Sequence, residues 1–174
     1  MSFTKIVLIP TGLIAVGVLV AAAAGVRLNV TPSVPVGLYY QTPAPQHPKR
    51  GSLVVVCLDP SEPQVAAAIA RGYLPVGNCP GGVAPLLKPV AGVPGDRIVA
   101  DTHGVRVNGV LQPGSAPLSQ DPQGHPLQLS PTDYVVQPDQ VLLLTKQPLS
   151  FDGRYLGPVD AHSIQAEARP LLLF

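Results

Sequence analysis

Leu86-Leu-Lys88-Pro-Val-Ala-Gly-Val-Pro94-Gly95-Asp96-Arg-Ile-Val-Ala100-Asp-Thr-His-Gly-Val-Arg-Val107-Asn108-Gly109-Val110-Leu-Gln112 is the stretch whose reading decides the fold class. Leu86 to Ala91 reads as a strand, and Val93-Pro-Gly-Asp96 as a tight turn. Arg97 to Ala100, Val105 to Val107 and Val110 to Gln112 read as short strands. Asn108-Gly109 between the last two tolerates the positive φ at both central positions that a type I′ hairpin requires. None of these runs is long enough for a helix, and their spacing is that of a mostly β domain.

The flanks extend the pattern. Leu53 to Leu58 is a continuous apolar run, expected as a buried strand. Tyr134 to Val136 and Val141 to Thr145 flank a Gln-Pro-Asp turn, and Ile164 to Phe174 ends in an apolar run suited to a closing strand. Glu62 to Ala70 is the one expected helix of this region, with Pro63 in its first turn and Gly72 just past its end. Gln41 to Arg50 reads as a polar, Pro-rich connector, Tyr73 to Pro85 as a loop, and Pro113 to Thr132 as a long exposed loop. The 22 prolines and 17 glycines interrupt the chain too often for long helices.

At 174 residues the chain suffices for one modest domain. Its 46% hydrophobic and 12% charged residues depart from a soluble average, and part of the excess lies in one uncharged run from Ile6 to Val26. That run is about long enough to cross a bilayer. Lys5 precedes it and Arg27 follows, a slight bias toward a cytoplasmic N-terminus. Residues 1–26 are therefore expected as a membrane anchor, or alternatively as a signal sequence cleaved near Ala21 to Ala24. Either reading puts residues 27–174 outside the cytoplasm as one domain. A net charge of +1 carries no basic stripe and excludes nucleic acid as a partner class. Cys57 and Cys79 suit an exported domain as one disulfide, the alternative being two buried thiols. Two cysteines without nearby histidines fall short of a metal site.

His47, His103, His125 and His162 all lie in turn-like or polar stretches and form no triad. Gly81-Gly82 is followed by no Lys-Ser/Thr pair and makes no phosphate loop. Ser33 and Lys88 stand out instead. Ser33 sits between Pro32 and Pro35, which hold its backbone extended, 33 − 26 = 7 residues beyond the apolar run. That tethers its hydroxyl within about 25 Å of the bilayer. A serine needs a base to act as a nucleophile at neutral pH. Lys88, a lone cation among Leu86, Leu87 and Val90, can supply one if burial lowers its pKa. Taken singly, Ser33 reads as a turn residue and Lys88 as a surface lysine on a strand.

Together the segments around them resemble a known family. Thr31-Pro-Ser33-Val-Pro-Val-Gly37-Leu-Tyr39 resembles the nucleophile segment of type I signal peptidases, and its Pro-Val-Gly-Leu-Tyr ending is similar to the TraF-type peptidases of conjugative plasmid transfer. Leu87-Lys88 followed by Pro94-Gly95-Asp96 resembles the family's lysine segment, and Asn108-Gly109 stands where the family has a Val-Asn-Gly hairpin. Ser150-Phe-Asp152-Gly-Arg154-Tyr-Leu-Gly157 resembles its last box, Ser-x-Asp-Ser-Arg-x-x-Gly, with Gly153 in place of the second serine. Pro89 follows the lysine where signal peptidases carry arginine, and Thr145-Lys-Gln replaces a Gly-Asp-Asn turn. These departures, with the Cys57 to Cys79 insert, favour the TraF-type branch.

The resemblance implies a signal-peptidase-like β domain on a single N-terminal transmembrane helix, in the bacterial inner membrane with the catalytic domain in the periplasm. It implies Ser33 as nucleophile, Lys88 as general base, and an oxyanion held by the Ser33 N–H and the Thr31 hydroxyl. Asp152 and Arg154 would pair and position the lysine wall, catalytically or only structurally. No metal or organic cofactor is implied. The expected substrate is a pilin precursor of a conjugative transfer apparatus, released by hydrolysis or by cyclisation from one acyl-enzyme. The alternatives are a general signal peptidase for exported proteins and a non-catalytic β scaffold of a secretion assembly.

Overall fold

In the computed structural model, which describes residues 16–129 and 132–174, the chain is mostly β. Its strands are β1 (Val26–Asn29), β2 (Gly37–Pro43), β3 (Leu53–Val56), β4 (Leu86–Gly92), β5 (Arg97–Asp101) and β6 (Gly104–Val107). They continue with β7 (Val110–Leu111), β8 (Asp133–Val135), β9 (Gln140–Leu143), β10 (Val159–Asp160) and β11 (Ile164–Leu173). Beyond the helical residues 16–23, the α-helices of the described residues are α1 (Pro63–Ala70) and the single turn α2 (Gly153–Leu156). One antiparallel sheet runs β1-β2-β11-β3-β4-β9-β10, and a second runs β7-β6-β5-β8.

The strand alternation explains how one sheet carries two cores. Val54 and Val56 of β3 pack with Val65 and Ala68 of α1, while Val55 between them packs on the other face with Val34, Tyr39 and Ala168. Successive side chains of a strand point to opposite faces, so an uninterrupted apolar run buries both. β9 repeats the device: Val141 and Leu143 join the α1 core, and Leu142 joins Ile98, Val105 and Val107 of the smaller sheet.

The Asn108-Gly109 hairpin has the expected positive φ, 51° and 80°. Asp96 at the Pro94-Gly95 turn accepts two 2.7 Å bonds from Arg50, one of 2.7 Å from the Val93 N–H and one of 2.8 Å from Asn108. It thereby fixes the end of β4 against the hairpin. β11 is not a closing edge but lies between β2 and β3. The C-terminal residues Leu171 to Phe174 remain exposed.

Two expectations need correcting. The Gln41 to Arg50 connector starts later than expected, because β2 continues to Pro43 by pairing with β11. The 113–132 segment is not a free exposed loop: Ser115 and Asp121 are buried, and Gln120 bridges to Pro126. The expected membrane segment falls largely on residues 1–15, outside the described residues. Residues 16–23 are helical, and among the described residues no helix is long and apolar enough to cross a membrane.

Cys57 and Cys79 form a disulfide across a sequence separation of 22, and α1 lies inside the segment it closes. Closing such a loop removes unfolded-state entropy worth about 3 kcal/mol. The unreduced protein should therefore weigh less than its reduced form by mass spectrometry. The Cys57→Ala/Cys79→Ala variant should unfold at lower denaturant by about that free energy; an unchanged midpoint would reject the stabilising role.

Candidate active site

Ser33 lies in the loop of the β1–β2 hairpin, whose register closes at Asn29 opposite Gly37. Neither proline neighbour donates a backbone bond, so the loop is held by side chains. Val34 is buried in the core under β2 and β11, and the Tyr39 hydroxyl donates to the Pro35 carbonyl at 2.6 Å. Asn29 Nδ2 donates to the carbonyls of Thr31, Val34 and Pro35 at 2.9, 3.3 and 3.1 Å. Gly37 admits no larger residue, since a Cβ there would overlap the Leu172 carbonyl oxygen.

Lys88 enters from β4, paired with Val54 of β3. It is only 4% exposed, and its Nζ lies 3.0 Å from Ser33 Oγ. It also donates to Ser150 Oγ at 2.6 Å. Burial pulls the Lys88 pKa down to about 8; Asp152 nearby acts to raise it and Arg154 to lower it. An amine poised there has a useful neutral fraction near neutral pH and can take a hydroxyl proton. Ser150 lies 62 residues along the chain from Lys88, and sequence reasoning misses its contact with the lysine. Its signal was its place two residues before Asp152. Ser150 and Ser33 together hold the Lys88 nitrogen between two hydroxyls.

Asp152 and Arg154 flank the first turn of α2 with side chains 0% exposed, Arg154 Nε to Asp152 Oδ1 being 2.9 Å. Asp152 also accepts from the Thr145 N–H at 3.0 Å and hydroxyl at 3.2 Å. Arg154 donates to the carbonyls of Gly114, Ala116, Thr145, Gln147 and Pro148. The pair ties three chain segments together, 114–116, 145–148 and the start of α2. Gly153 is required between them, because a Cβ would approach the Leu143 carbonyl oxygen to 2.5 Å. Thr31 is exposed, and its hydroxyl donates to Asn29 Oδ1 at 2.8 Å. The four histidines are exposed and none contacts this site.

Ser33 and Lys88 open onto a cleft of about 600 Å³. Its walls are mainly apolar, with Leu74, Leu86, Leu118, Leu127, Leu149 and Phe151 among them. A serine hydroxyl against a buried low-pKa amine, in an open and mainly apolar cleft, is an arrangement in which the amine can take the hydroxyl proton.

Comparison with known proteins identifies the family. The profile of the family described as "Signal peptidase, peptidase S26" matches residues 1–172. A "Plasmid transfer protein TraF" of Escherichia coli is 41% identical over 157 residues, covering 87% of this chain and 85% of the relative. A "Conjugal transfer protein TraF" of Agrobacterium tumefaciens (strain 15955) is 40% identical over 161 residues, covering 91% and 90%. The crystal structure of a signal peptidase I from Enterococcus faecalis V583 overlays with a TM-score of 0.40 at 18% identity, over 70% of this chain and 97% of that one.

Proposed function

Because the chain belongs to the signal peptidase S26 family and is thus a peptidase, we propose that it is a membrane-anchored serine endopeptidase that processes a pilin precursor for conjugative transfer. The observation that carries the mechanism is the 3.0 Å approach of Lys88 Nζ to Ser33 Oγ in a buried setting. The conjugative role rests on relatives near 40% identity whose names assign them to plasmid and conjugal transfer. That role suits a protein of the cell envelope, and in this reading residues 1–26 anchor it and residues 27–174 lie in the periplasm.

In this mechanism neutral Lys88 takes the Ser33 proton as Oγ bonds to the scissile carbonyl carbon. The oxyanion is held by the Ser33 N–H and by the Thr31 hydroxyl, which exchanges its Asn29 partner for the substrate oxygen. Lys88 then returns the proton to the leaving amine as the C–N bond breaks, leaving an acyl-Ser33. Water or an amine resolves the acyl-enzyme by the same proton path. Arg154 binds the Gln147 carbonyl that also accepts from the Ser150 N–H, so the Asp152–Arg154 pair supports the turn that presents Ser150 to the lysine. No cofactor enters.

The test is a pH–rate profile on a peptide spanning the processing site of the pilin precursor encoded with the transfer genes. Lys88 acts when neutral, so kcat/KM should rise with pH, its limb centred near the Lys88 pKa of about 8. A limb near 6.5 that vanishes when one histidine is replaced would overturn the dyad. Efficient cleavage of ordinary exported precursors, with none of the pilin peptide, would overturn the substrate.

A further inference from the structure

Asp121 is a buried carboxylate that the chemistry above does not use, its side chain 4% exposed. Its Oδ1 accepts from the Gln123 and His125 N–H groups at 2.9 and 2.8 Å, folding the 117–127 segment on itself. Its Oδ2 accepts from His125 Nδ1 at 2.8 Å and from the Tyr73 hydroxyl. Tyr73 belongs to the segment closed by the Cys57–Cys79 disulfide. From that segment Arg71 also donates to the Pro126 carbonyl at 3.1 Å.

A second set of bonds holds the other end. The Tyr73 ring packs on Phe151 at 5.2 Å between centroids, and Phe151 stacks on Tyr155 at 5.7 Å. The Tyr155 hydroxyl accepts from the Leu118 N–H at 2.9 Å. An aromatic row thus lines the cleft from Tyr73 to Tyr155, and the hydroxyls at its two ends hold one loop at Asp121 and at Leu118. That loop supplies Leu118, Pro122 and Leu127 to the cleft, and the disulfide-closed segment supplies Leu74 and Pro75.

We propose that Asp121, acting through Tyr73, is a positioning residue that fixes these two apolar walls at the separation that grips the substrate's apolar side chains. The inference deepens the peptidase reading and rests on it for the identity of the ligand. A hydrogen bond to a charged, desolvated acceptor is strong, and losing it frees a wall that must then be ordered at each binding event. Nothing in the latch touches Ser33 or Lys88, so the chemical step is left as it was.

The experiment uses the full chain in detergent with the fluorescein-labelled pilin-precursor peptide. Dissociation constants are measured by anisotropy in a Ser33→Ala background, and cleavage is measured with Ser33 intact. Tyr73→Phe and Asp121→Asn should each raise Kd and KM about tenfold, with kcat and the pH limb unchanged. The double variant should bind no more weakly than the weaker single one, because each single variant already lacks the charged Tyr73–Asp121 bond. Amide exchange at Gln123 and His125 should quicken in both, while β3 and β9 stay protected, which separates loosening from unfolding. Unchanged Kd in either single variant, additive losses in the double, or a fall in kcat at constant KM overturns the proposal. Wild-type binding without cleavage would instead overturn the peptidase reading and leave the Kd comparison to decide the latch.

Discussion

Ser33→Ala and Lys88→Met should each reduce cleavage of the pilin-precursor peptide by about a thousandfold or more, with circular dichroism unchanged. Ser33→Ala removes a half-exposed oxygen and nothing that the Val34 and Tyr39 anchors depend on. Lys88→Met keeps an aliphatic stem of similar length in the 4% exposed site and removes only the amine. The two substitutions should not be additive, since each abolishes the same proton transfer.

Stability should respond with a defined sign. The Lys88 pKa is about 8 when folded, below the roughly 10.4 of an unfolded lysine. Between those values the unfolded chain binds more protons, so wild-type stability should rise with pH across that window. Below about 8 both states are protonated, and the full cost of the buried ammonium is present. Lys88→Met removes that cost, so its stability at neutral pH should equal or exceed that of wild type and show no such rise. Retained cleavage in either variant would remove the dyad from the mechanism. A destabilised Lys88→Met protein would mean that the ammonium is better solvated than its burial indicates.

Local chemistry made much of this architecture legible in advance. The Asn108-Gly109 hairpin, the Leu53 to Leu58 strand and the Pro63-started helix each follow from a few adjacent residues, and the structure has all three. Ser33 and Lys88 could be singled out because their neighbours are unusual. Less legible was whatever depends on partners distant in sequence. The extension of β2 to Pro43 is decided by β11, more than a hundred residues later. The 113–132 segment is rich in Pro, Ser, Gln and Gly and reads as solvated. Its order comes from Tyr73, Tyr155 and Arg154, none of which lies near it in the chain. Ser150 looked like one more polar residue until the strand bearing Lys88 was placed beside it.

Arg154→Met should be the most destabilising single substitution in the site, with a loss of about 3–5 kcal/mol. The guanidinium is fully enclosed, and its removal leaves the Asp152 carboxylate buried with only the Thr145 and α2 donors. It also strips a partner from five carbonyls across residues 114–148. For a chain of this size the loss corresponds to a fall in Tm of roughly 10 °C or more. Asp152→Asn should cost less, because the five carbonyl bonds of Arg154 remain. The Asp152→Asn/Arg154→Met double variant should lose less than the sum of the singles, since neither charge is then stranded. Activity measured below the melting range separates support from chemistry. Asp152 acts to raise the Lys88 pKa and Arg154 to lower it, so Asp152→Asn should move the rising limb of kcat/KM to lower pH and Arg154→Met to higher pH. Limbs displaced in the same direction, or not at all, would confine the pair to a structural role.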